Sequence, residues 1–332
     1  MTVSATPYQA AGLRRLKGEM HLHSHHSDGQ DSVAAMLHAC RAAGYDFVVL
    51  TDHNTVSGGP ELLAAPGVAT LLGAEATTFR GHAVCTGITA LPEWRDLERR
   101  GMDAFADDVH AQDGLLTIAH PARLGSPVCT GCAWEWPVRP DAVDLWEVFS
   151  GGSPSEAELE LALTFWQRLL LAGGRAGPVA AGDVHSAAAA AASRAATYVY
   201  TPSPAPMAIL AALRERRLFA SRGPLIDFWL EAEDGCRTLV GERVAVDARW
   251  RPCCRLEPPE AWRGARLRAL LADRPPRADR ALAPTELPVL GTALDVPWGE
   301  PLPRWDGVIC VYAEVRAADG TLQAVTAPIW IR

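Results

Sequence analysis

Histidine and carboxylate side chains are concentrated near the start of the sequence. Residues 19–29 contain four histidines and also Asp28. Apolar residues before them predict a short strand that runs into a polar turn, and side chains two apart on a strand lie on the same face. His21 and His23 can therefore bind one ion together. Imidazole and carboxylate groups in one patch are the ligand types that zinc, manganese and iron use in proteins.

Further candidate ligands follow apolar runs later in the chain. These runs are short and continuous, which is typical of strands buried on both faces. The polar residues directly after them are Asp52 and His53, then Glu75, then His120, and finally Asp183 and His185, while His82 precedes the apolar run at 83–88. A carboxylate such as Glu75 beside a buried strand needs a cationic partner or a metal.

The elements that position these residues alternate between strands and helices. Helices are predicted at 31–44, 103–112, 153–173 and 205–217, and Ser153, Pro154 and Glu156 predict a capping box with proline in the first turn. Strands are predicted between them, including 143–149 and 197–200. This alternation predicts a largely parallel sheet, and about seven units in about 220 residues favour a β/α barrel. Barrel enzymes place their active sites at the carboxyl ends of the strands.

The last third of the chain has a different pattern. Helical signals fade from about residue 225, and 308–315 and 322–331 predict two strands joined by a hairpin around Asp319 and Gly320. Seven prolines between residues 275 and 303 predict loops between short strands. We therefore expect an α/β barrel domain over 1–223 and a small all-β, sandwich-like domain over 224–332 with no evident chemistry.

Composition limits the kind of partner. The chain has 332 residues, 48% of them hydrophobic, a net charge of -8 and a pI near 5.7. Net negative charge argues against binding to a nucleic-acid duplex or an anionic membrane, so we expect a small-molecule substrate. We find neither a membrane span nor a signal peptide, and we predict a cytoplasmic protein whose oligomeric state stays open. Cys129 and Cys132 form the one CxxC pair, and no disulfide framework is expected.

Five motifs in this order resemble the PHP (polymerase and histidinol phosphatase) family. They are His21-Leu22-His23 with Ser27-Asp28-Gly29, Thr51-Asp52-His53-Asn54, Gly73-Ala74-Glu75, Ala119-His120-Pro121 and Gly182-Asp183-Val184-His185. The resemblance covers residues 17–223 and implies a distorted, seven-stranded, TIM-like β/α barrel that catalyses metal-dependent hydrolysis. The segment around 219–224, followed by a β-rich part, is most similar to the stand-alone members related to the carbamate-cleaving CehA and to McbA.

The resemblance also implies a set of metal ligands for two or three divalent ions of zinc, manganese or iron. One ion is expected among His21, His23, Glu75 and Asp183. Glu75 is expected to bridge to a second ion, held also by His82 and His120. Asp28, His53 and His185 are expected to hold a third. Relatives have a histidine at the position of Asp28, so the carboxylate here is expected to affect metal preference or occupancy.

The expected reaction is attack of a metal-bound hydroxide on a small phosphoester of the nucleotide or sugar phosphate class. Arg123 is the first candidate for phosphate binding, since arginine offers paired donors, and nucleotide-cleaving relatives are similar in having arginine after the His-Pro pair. Arg194 and Arg222 are further candidates, and His25 and His26 are candidate substrate contacts. Asp52 or His185 is expected to protonate the leaving group.

Two other functions fit the same residues. The first is hydrolysis of carbamates, amides or carboxylic esters at the same metal centre. The second is a metal-stabilised binding module without turnover. The sequence contains no GxSxG, P-loop or catalytic-cysteine motif that would favour a covalent or nucleotide-dependent route. His38 and His110 are predicted to lie on helices, where a structural role is expected for them.

Overall fold

The computed structural model describes residues 5–65, 67–125, 131–151, 155–245, 249–258, 263–272, 291–296 and 308–331. The helices are α1 (Pro7–Ala10), α2 (Val33–Ala42), α3 (Gly59–Ala64), α4 (Leu97–Arg100), α5 (Met102–His110), α6 (Glu156–Leu171), α7 (Ala187–Ala192) and α8 (Pro206–Arg214), with a 3-10 turn at Pro140–Ala142. Among these described residues, no helix is long and apolar enough to cross a membrane.

The strands alternate with the helices through the first two thirds of the chain. They are β1 (Arg14–Leu22), β2 (Phe47–Leu50), β3 (Ala69–Thr78), β4 (Gly81–Thr86), β5 (Leu115–Ala119), β6 (Leu145–Phe149), β7 (Gly177–Ala180), β8 (Ala196–Thr201) and β9 (Leu218–Ser221). The later strands are β10 (Leu225–Ala232), β11 (Arg237–Leu239), β12 (Arg243–Val244), β13 (Trp250–Glu257), β14 (Ala265–Ala272), β15 (Gly291–Val296), β16 (Val308–Arg316), β17 (Leu322–Thr326) and β18 (Ile329–Ile331).

Fifteen of the described strands form one mixed sheet. Its main path runs β12-β18-β16-β17-β9-β8-β1-β2-β3-β4-β5-β6-β7, and β14 and β15 extend it beside β16. The path from β1 to β7 follows chain order, as a barrel requires. After β7, Val184 forms a parallel bridge with Leu22 at the end of β1, and its N–H donates to the carbonyl of His21 at 3.1 Å. The curled sheet is consistent with a distorted barrel. That the barrel itself has seven strands stays a prediction.

The sheet is less parallel than the sequence predicts, because β4 runs antiparallel to both of its neighbours. Thr78 pairs with Gly81, so β3 and β4 form a hairpin, and a connection that short permits only antiparallel strands. Because it pairs with β4 in this hairpin, β3 continues past the end of its pairing with β2. Glu75 consequently lies within a strand, and not after the end of one as predicted.

Helix caps explain where two of the helices begin. Ser32 caps α2 by accepting from the N–H of Ala35, and the predicted apolar face of α2 is buried. The predicted start of α6 is wrong by two residues. Ser155 and Glu158 form the capping box, and the helix begins at Glu156. Ser153 and Pro154 lie outside the described residues.

The C-terminal strands are hydrogen-bonded to the same sheet as the barrel strands. The predicted hairpin is confirmed by the antiparallel pairing of β16 with β17, but the predicted second strand at 322–331 is two strands, β17 and β18, and both pair with β16. On its other side β17 pairs with β9, and a separate three-stranded sheet has the order β11-β10-β13. The two largest hydrophobic clusters contain residues from both parts of the chain, for example Trp166 with Tyr312 and Phe219 with Val311. The seven prolines predicted to mark loops lie outside the described residues.

Candidate metal centre

The end of β1 places His21 and His23 on one buried face, and both side chains are fully buried. The backbone of His23 donates to the carbonyl of Val184 at 2.8 Å, which ties the end of β1 to the segment after β7. This bridge brings Asp183 opposite the two histidines. Asp183 Oδ1 lies 3.2 Å from His23 Nε2 and 3.5 Å from His21 Nε2.

Glu75 lies at the middle of the cluster, with each carboxylate oxygen facing a different group of histidines. Oε2 lies 3.3 Å from His21 Nε2 and 3.5 Å from His23 Nε2. Oε1 lies 3.0 Å from His82 Nδ1 and 3.1 Å from His120 Nε2. Burial alone would raise the pKa of the Glu75 carboxyl, but the charge of His21 and the hydrogen bond from His120 hold it well below its usual value. The carboxylate is therefore ionised and able to bridge two cations.

A third group lies nearer to solvent and combines the predicted residues Asp28, His53 and His185. Asp28 Oδ1 lies 3.2 Å from His185 Nε2, and its Oδ2 lies 3.5 Å from His53 Nε2. His53 also approaches Glu75, with its Nδ1 at 2.7 Å from Oε2. The Asp28 side chain is 57% exposed, so this group lies at the opening of the cluster.

Two of the predicted ligands have backbone conformations that are rare for residues with a Cβ. His120 has a φ of 29° and Asp183 a φ of 47°. Such conformations cost about 1–3 kcal/mol each and persist where the surroundings require them, often at functional sites. The backbone just before Asp183 is closely packed, because a Cβ on Gly182 would lie 2.6 Å from Glu19 Oε2.

Hydrogen bonds at Nδ1 set the tautomers of three histidines. Nδ1 of His21 lies 2.8 Å from Glu147 Oε1, and Nδ1 of His120 lies 3.1 Å from the carbonyl oxygen of Cys132. Nδ1 of His185 lies 2.9 Å from the carbonyl oxygen of Asp183. Ionised carboxylates and carbonyls only accept, so Nδ1 carries the hydrogen in each ring. In a neutral ring each Nε2 then carries a lone pair that faces a carboxylate oxygen, and two facing acceptors need a cation between them, either a proton or a metal ion.

The residues therefore fit divalent metal ions. Buried nitrogen and oxygen atoms normally have hydrogen-bond partners. In this cluster Nε2 of His21, both ring nitrogens of His23, Oε2 of Glu75 and Nε2 of His82 have none among the described residues. Neutral imidazoles and carboxylates are suitable ligands for zinc, manganese and iron. His23, Asp28, His53 and His185 form one group of donor atoms within 4.8 Å of one another, and His21, His23 and Glu75 form another.

Glu147 is a buried residue of the candidate centre that the sequence analysis did not single out. It lies on β6 and is buried, and in addition to contacting His21 its Oε2 accepts from the backbone N–H of His120 at 2.7 Å. A carboxylate behind a ligating histidine fixes the ring and increases its basicity. Burial alone would lower the pKa of His21, but Glu75 and Glu147 raise it well above its usual value. The sequence did carry a sign of this role, since Glu147 is a carboxylate between apolar residues of the strand predicted at 143–149.

Glu19 is a second missed residue and lies on β1 below the two histidines. Its Oε1 accepts from the backbone N–H of Gly182 at 2.6 Å and from that of His21 at 3.2 Å. Burial raises the pKa of the Glu19 carboxyl to about 7, against the hydrogen bond from Gly182. Glu19 thus connects the strand that carries His21 to the turn that carries Asp183.

Asp52 accepts hydrogen bonds from the turn that follows β1. Its Oδ1 accepts from the backbone N–H of Ser24 at 2.7 Å and from the Ser27 hydroxyl at 2.8 Å, and its Oδ2 accepts from the Ser24 hydroxyl at 2.9 Å. These bonds fix the turn after His23. They do not support the predicted role of Asp52 as a proton donor.

Arg123 reaches the centre but already has partners there. Its Nη1 donates to Asp183 Oδ2 at 2.6 Å, and its Nη2 donates to the carbonyl of Gly151. A cavity of about 760 Å³ begins beside Asp183 and His185, and its lining includes both Arg194 and Arg222. Arg222 Nη1 also lies 3.1 Å from Glu156 Oε1.

The other predicted residues lie outside the inner cluster. His25 and His26 contact Glu61 on α3. His38 is exposed on α2, and His110 Nε2 lies 2.7 Å from Asp144 Oδ2, which agrees with the structural roles predicted for both. Cys132 is disulfide-bonded, which the sequence analysis did not predict, and Cys129 lies outside the described residues.

Comparisons with known proteins agree with the fold. No family model matches the sequence. Over 42 residues the chain is 43% identical to the DNA polymerase/3'-5' exonuclease PolX of Bacillus subtilis, a match that takes in 13% of this chain and only 7% of that protein.

Two solved structures align with the chain, and the first of them supports the fold. A two-domain protein from Bacteroides vulgatus, which contains a predicted PHP-like metal-dependent phosphoesterase, is 14% identical over 96% of each chain with a TM-score of 0.50. The lesion-specific endonuclease PfuEndoQ from Pyrococcus furiosus is 16% identical over 60% of this chain and 56% of its own, with a TM-score of 0.45. At these identities the likeness concerns the fold, and function has to be argued from the site.

Proposed function

We propose that this protein is a metal-dependent hydrolase that cleaves small phosphoesters. The observation that carries the proposal is the orientation of His21, His120 and His185, because Nδ1 of each ring is used in a hydrogen bond and Nε2 of each lies 3.1–3.3 Å from a carboxylate oxygen. A site built this way requires positive charge among its side chains. The name of the similar protein from Bacteroides vulgatus supports the same reaction class.

We assign the ligands in three groups. His21, His23, Glu75 and Asp183 would hold one ion, Glu75 with His82 and His120 a second, and Asp28 with His53 and His185 a third. When bound, divalent ions at these positions lower the pKa of water toward neutrality and neutralise charge on the oxygens of the displacement. Glu147 and Glu19 would hold the ligand-bearing strands in place.

Positive charge beside the centre supports a phosphoester substrate. Arg123 would hold Asp183 in place and add charge at the edge of the centre. The cavity has a volume typical of small-molecule sites, and Arg194 and Arg222 in its lining offer donors to an anionic group. His185 also lines this cavity, so we favour it over Asp52 as the proton donor to the leaving group, a role open to its Nε2 only while the third ion is absent.

The hydrogen bonds that Arg123 already makes favour a second candidate function. Because its guanidinium is already bonded to Asp183 and to the carbonyl of Gly151, it has fewer donors left for a phosphate. A hydrolase of carbamates, amides or carboxylic esters would use the same ligands and would not need those donors. The third reading, a metal-stabilised binding module, predicts no turnover with either class of substrate.

The wider assignments rest on the sequence motifs. We propose membership of the PHP family, with the stand-alone CehA type as the subgroup. The cytoplasmic location and the exclusion of a nucleic-acid duplex as substrate stay predictions from the sequence and its net charge of -8.

The test is a substrate screen with protein loaded with manganese or zinc. We expect release of phosphate or nitrophenol from aryl phosphates and nucleoside monophosphates, and a loss of at least about 100-fold in kcat/KM on Arg123→Ala, about 2.7 kcal/mol at the transition state. His38→Ala, on an exposed helix face, is the matched control. Turnover of aryl esters or carbamates by the wild type, without turnover of phosphoesters, would favour the second candidate. Metal-loaded protein without turnover of any class would leave only the binding module.

A further inference from the structure

A further group of side chains that could ligate a metal lies nearer to solvent, apart from the nine ligands assigned above. His25 and His26 follow the His21-Leu22-His23 motif, and Glu61 lies on α3. Glu61 Oε1 lies 3.1 Å from His26 Nε2 and 3.5 Å from His25 Nε2. The three donor atoms all lie within 4.8 Å of one another. Two imidazole nitrogens therefore converge on a single carboxylate oxygen.

The backbone fixes the two histidines in this arrangement. The N–H of His25 donates to the carbonyl of Asp31 at 3.0 Å, and the N–H of His26 donates to the Ser24 hydroxyl at 3.2 Å. The rings stack with centroids 4.6 Å apart. The turn thus holds the backbone of both residues, and the stacked rings place both Nε2 atoms near Glu61.

The ring of His26 is also fixed from its other side. Its Nδ1 lies 2.9 Å from the hydroxyl of Ser57. When Nδ1 donates to that hydroxyl, Nε2 carries the lone pair that a metal needs. A hydrogen bond at the far nitrogen is the usual way in which proteins set a ligating histidine.

An ion pair explains this arrangement less well than a cation does. The side chains of His25 and Glu61 are 45% and 44% exposed, and exposed ion pairs contribute only about 0–1 kcal/mol. A bond to Glu61 needs only one histidine, whereas here two imidazole nitrogens lie within 3.5 Å of the same oxygen. One divalent ion would satisfy all three donors at once.

We propose that His25, His26 and Glu61 form an additional binding site for zinc or a similar divalent transition metal. Two histidines and a glutamate are a known zinc donor set that leaves a further position open to water or another ligand. The exposure of His25 and Glu61 makes that open position accessible. This inference does not depend on the proposed hydrolase activity, because it concerns different side chains.

The test uses zinc binding and needs no substrate. Protein that retains its inner metals is titrated with zinc, and bound metal is measured by equilibrium dialysis with elemental analysis. We expect the wild type to bind one more zinc than either His25→Ala or Glu61→Gln, or to bind it about 10- to 100-fold more tightly. Glu98→Gln, an exposed glutamate on α4, is the matched control and should bind like the wild type. Equal zinc binding by all four proteins would overturn the proposal.

A second measurement uses only the wild-type protein, so it does not depend on how the variants fold. Diethylpyrocarbonate modifies imidazoles that are accessible and unliganded, and peptide mass spectrometry identifies the modified residues. Zinc should protect His25 and His26, whereas the exposed His38 on α2 should be modified with or without zinc. Modification of His25 and His26 at the same rate in saturating zinc would contradict the proposal.

Discussion

At the scale of single residues, the centre depends on carboxylates that fix the imidazole rings. Glu147 does this for His21 through its Oε1, and it also accepts from the backbone of His120. One buried side chain thus orients a proposed ligand of each of the first two ions. The ligands alone do not determine where their lone pairs point.

Glu147→Gln should weaken metal binding by about 10- to 100-fold, because a side-chain amide holds the His21 tautomer less firmly than a carboxylate does. Competition with a chelator of known affinity measures the change. The control is Glu314→Gln, which removes another buried carboxylate, on β16, and should leave metal affinity unaltered. Equal loss of affinity in both variants would mean that general destabilisation is the cause.

Much of the centre could be predicted from the sequence, because its ligands stand in short motifs next to apolar runs. The structure brings all nine proposed ligands into one cluster. The orientation of Arg123 could not be predicted, since it depends on the approach of Asp183 and Gly151 in space. Glu147 was missed because it stands alone in a strand and has no motif around it.

At the scale of elements, α5 is attached to the sheet by a charged contact that responds to pH. His110 at the end of α5 contacts Asp144 Oδ2, and Arg216 Nη2 lies 3.1 Å from Asp144 Oδ1. The hydrogen bond to Asp144 raises the pKa of His110 above its ordinary value, and burial opposes the shift. A raised pKa means that the folded state binds the proton more tightly than the unfolded chain does.

The stabilisation from His110 should therefore be complete below its ordinary pKa of about 6.5 and disappear as pH rises through the raised value. His110→Gln should remove this part of the pH dependence, by no more than about 1 kcal/mol because the side chain is partly exposed. Urea unfolding between pH 5.5 and 8.5 measures it, with His38→Gln as control. An unchanged slope with pH in His110→Gln would contradict the expectation.

The elements themselves were largely predictable where local pattern determines them. The apolar face of α2 and the hairpin of β16 and β17 are both confirmed. The antiparallel direction of β4 was missed because the sequence of the tight turn between Thr78 and Gly81 carries no glycine-rich hairpin signal at its centre. The pairing of β9 with β17 joins segments about one hundred residues apart, and no local pattern reports it.

At the scale of the whole molecule, residues of both predicted domains pack in the same hydrophobic clusters. In the described part of the chain, the α-helices and the proposed metal ligands all lie before residue 224 and the later residues form strands, so we keep that proposed boundary as a change in architecture. Across it, β17 pairs with β9, and Arg316 contacts Glu160 on α6 at 3.2 Å. The lining of the cavity beside Asp183 also includes Gln323 of β17.

A chain that ends at residue 223 should therefore fail to fold cooperatively. The deletion uncovers buried residues such as Phe219 and removes their partners, at about 1.5–3 kcal/mol for each large apolar side chain. A few such losses exceed the net stability of about 5–15 kcal/mol that is typical of a domain. Solubility, circular dichroism and a thermal melt test this. A sharp melting transition in the shortened chain would show that the first part folds independently.

The most direct test of the metal centre is the metal content of the purified protein, determined by elemental analysis after dialysis against metal-free buffer. The account predicts at least one tightly bound zinc, manganese or iron per chain, rising to two or three when manganese is added, and to one more when zinc also fills the site at His25, His26 and Glu61. It also predicts that Glu75→Gln loses most of this metal, while Glu314→Gln retains it. Less than one metal per wild-type chain, with no uptake from added manganese or zinc, would contradict the account.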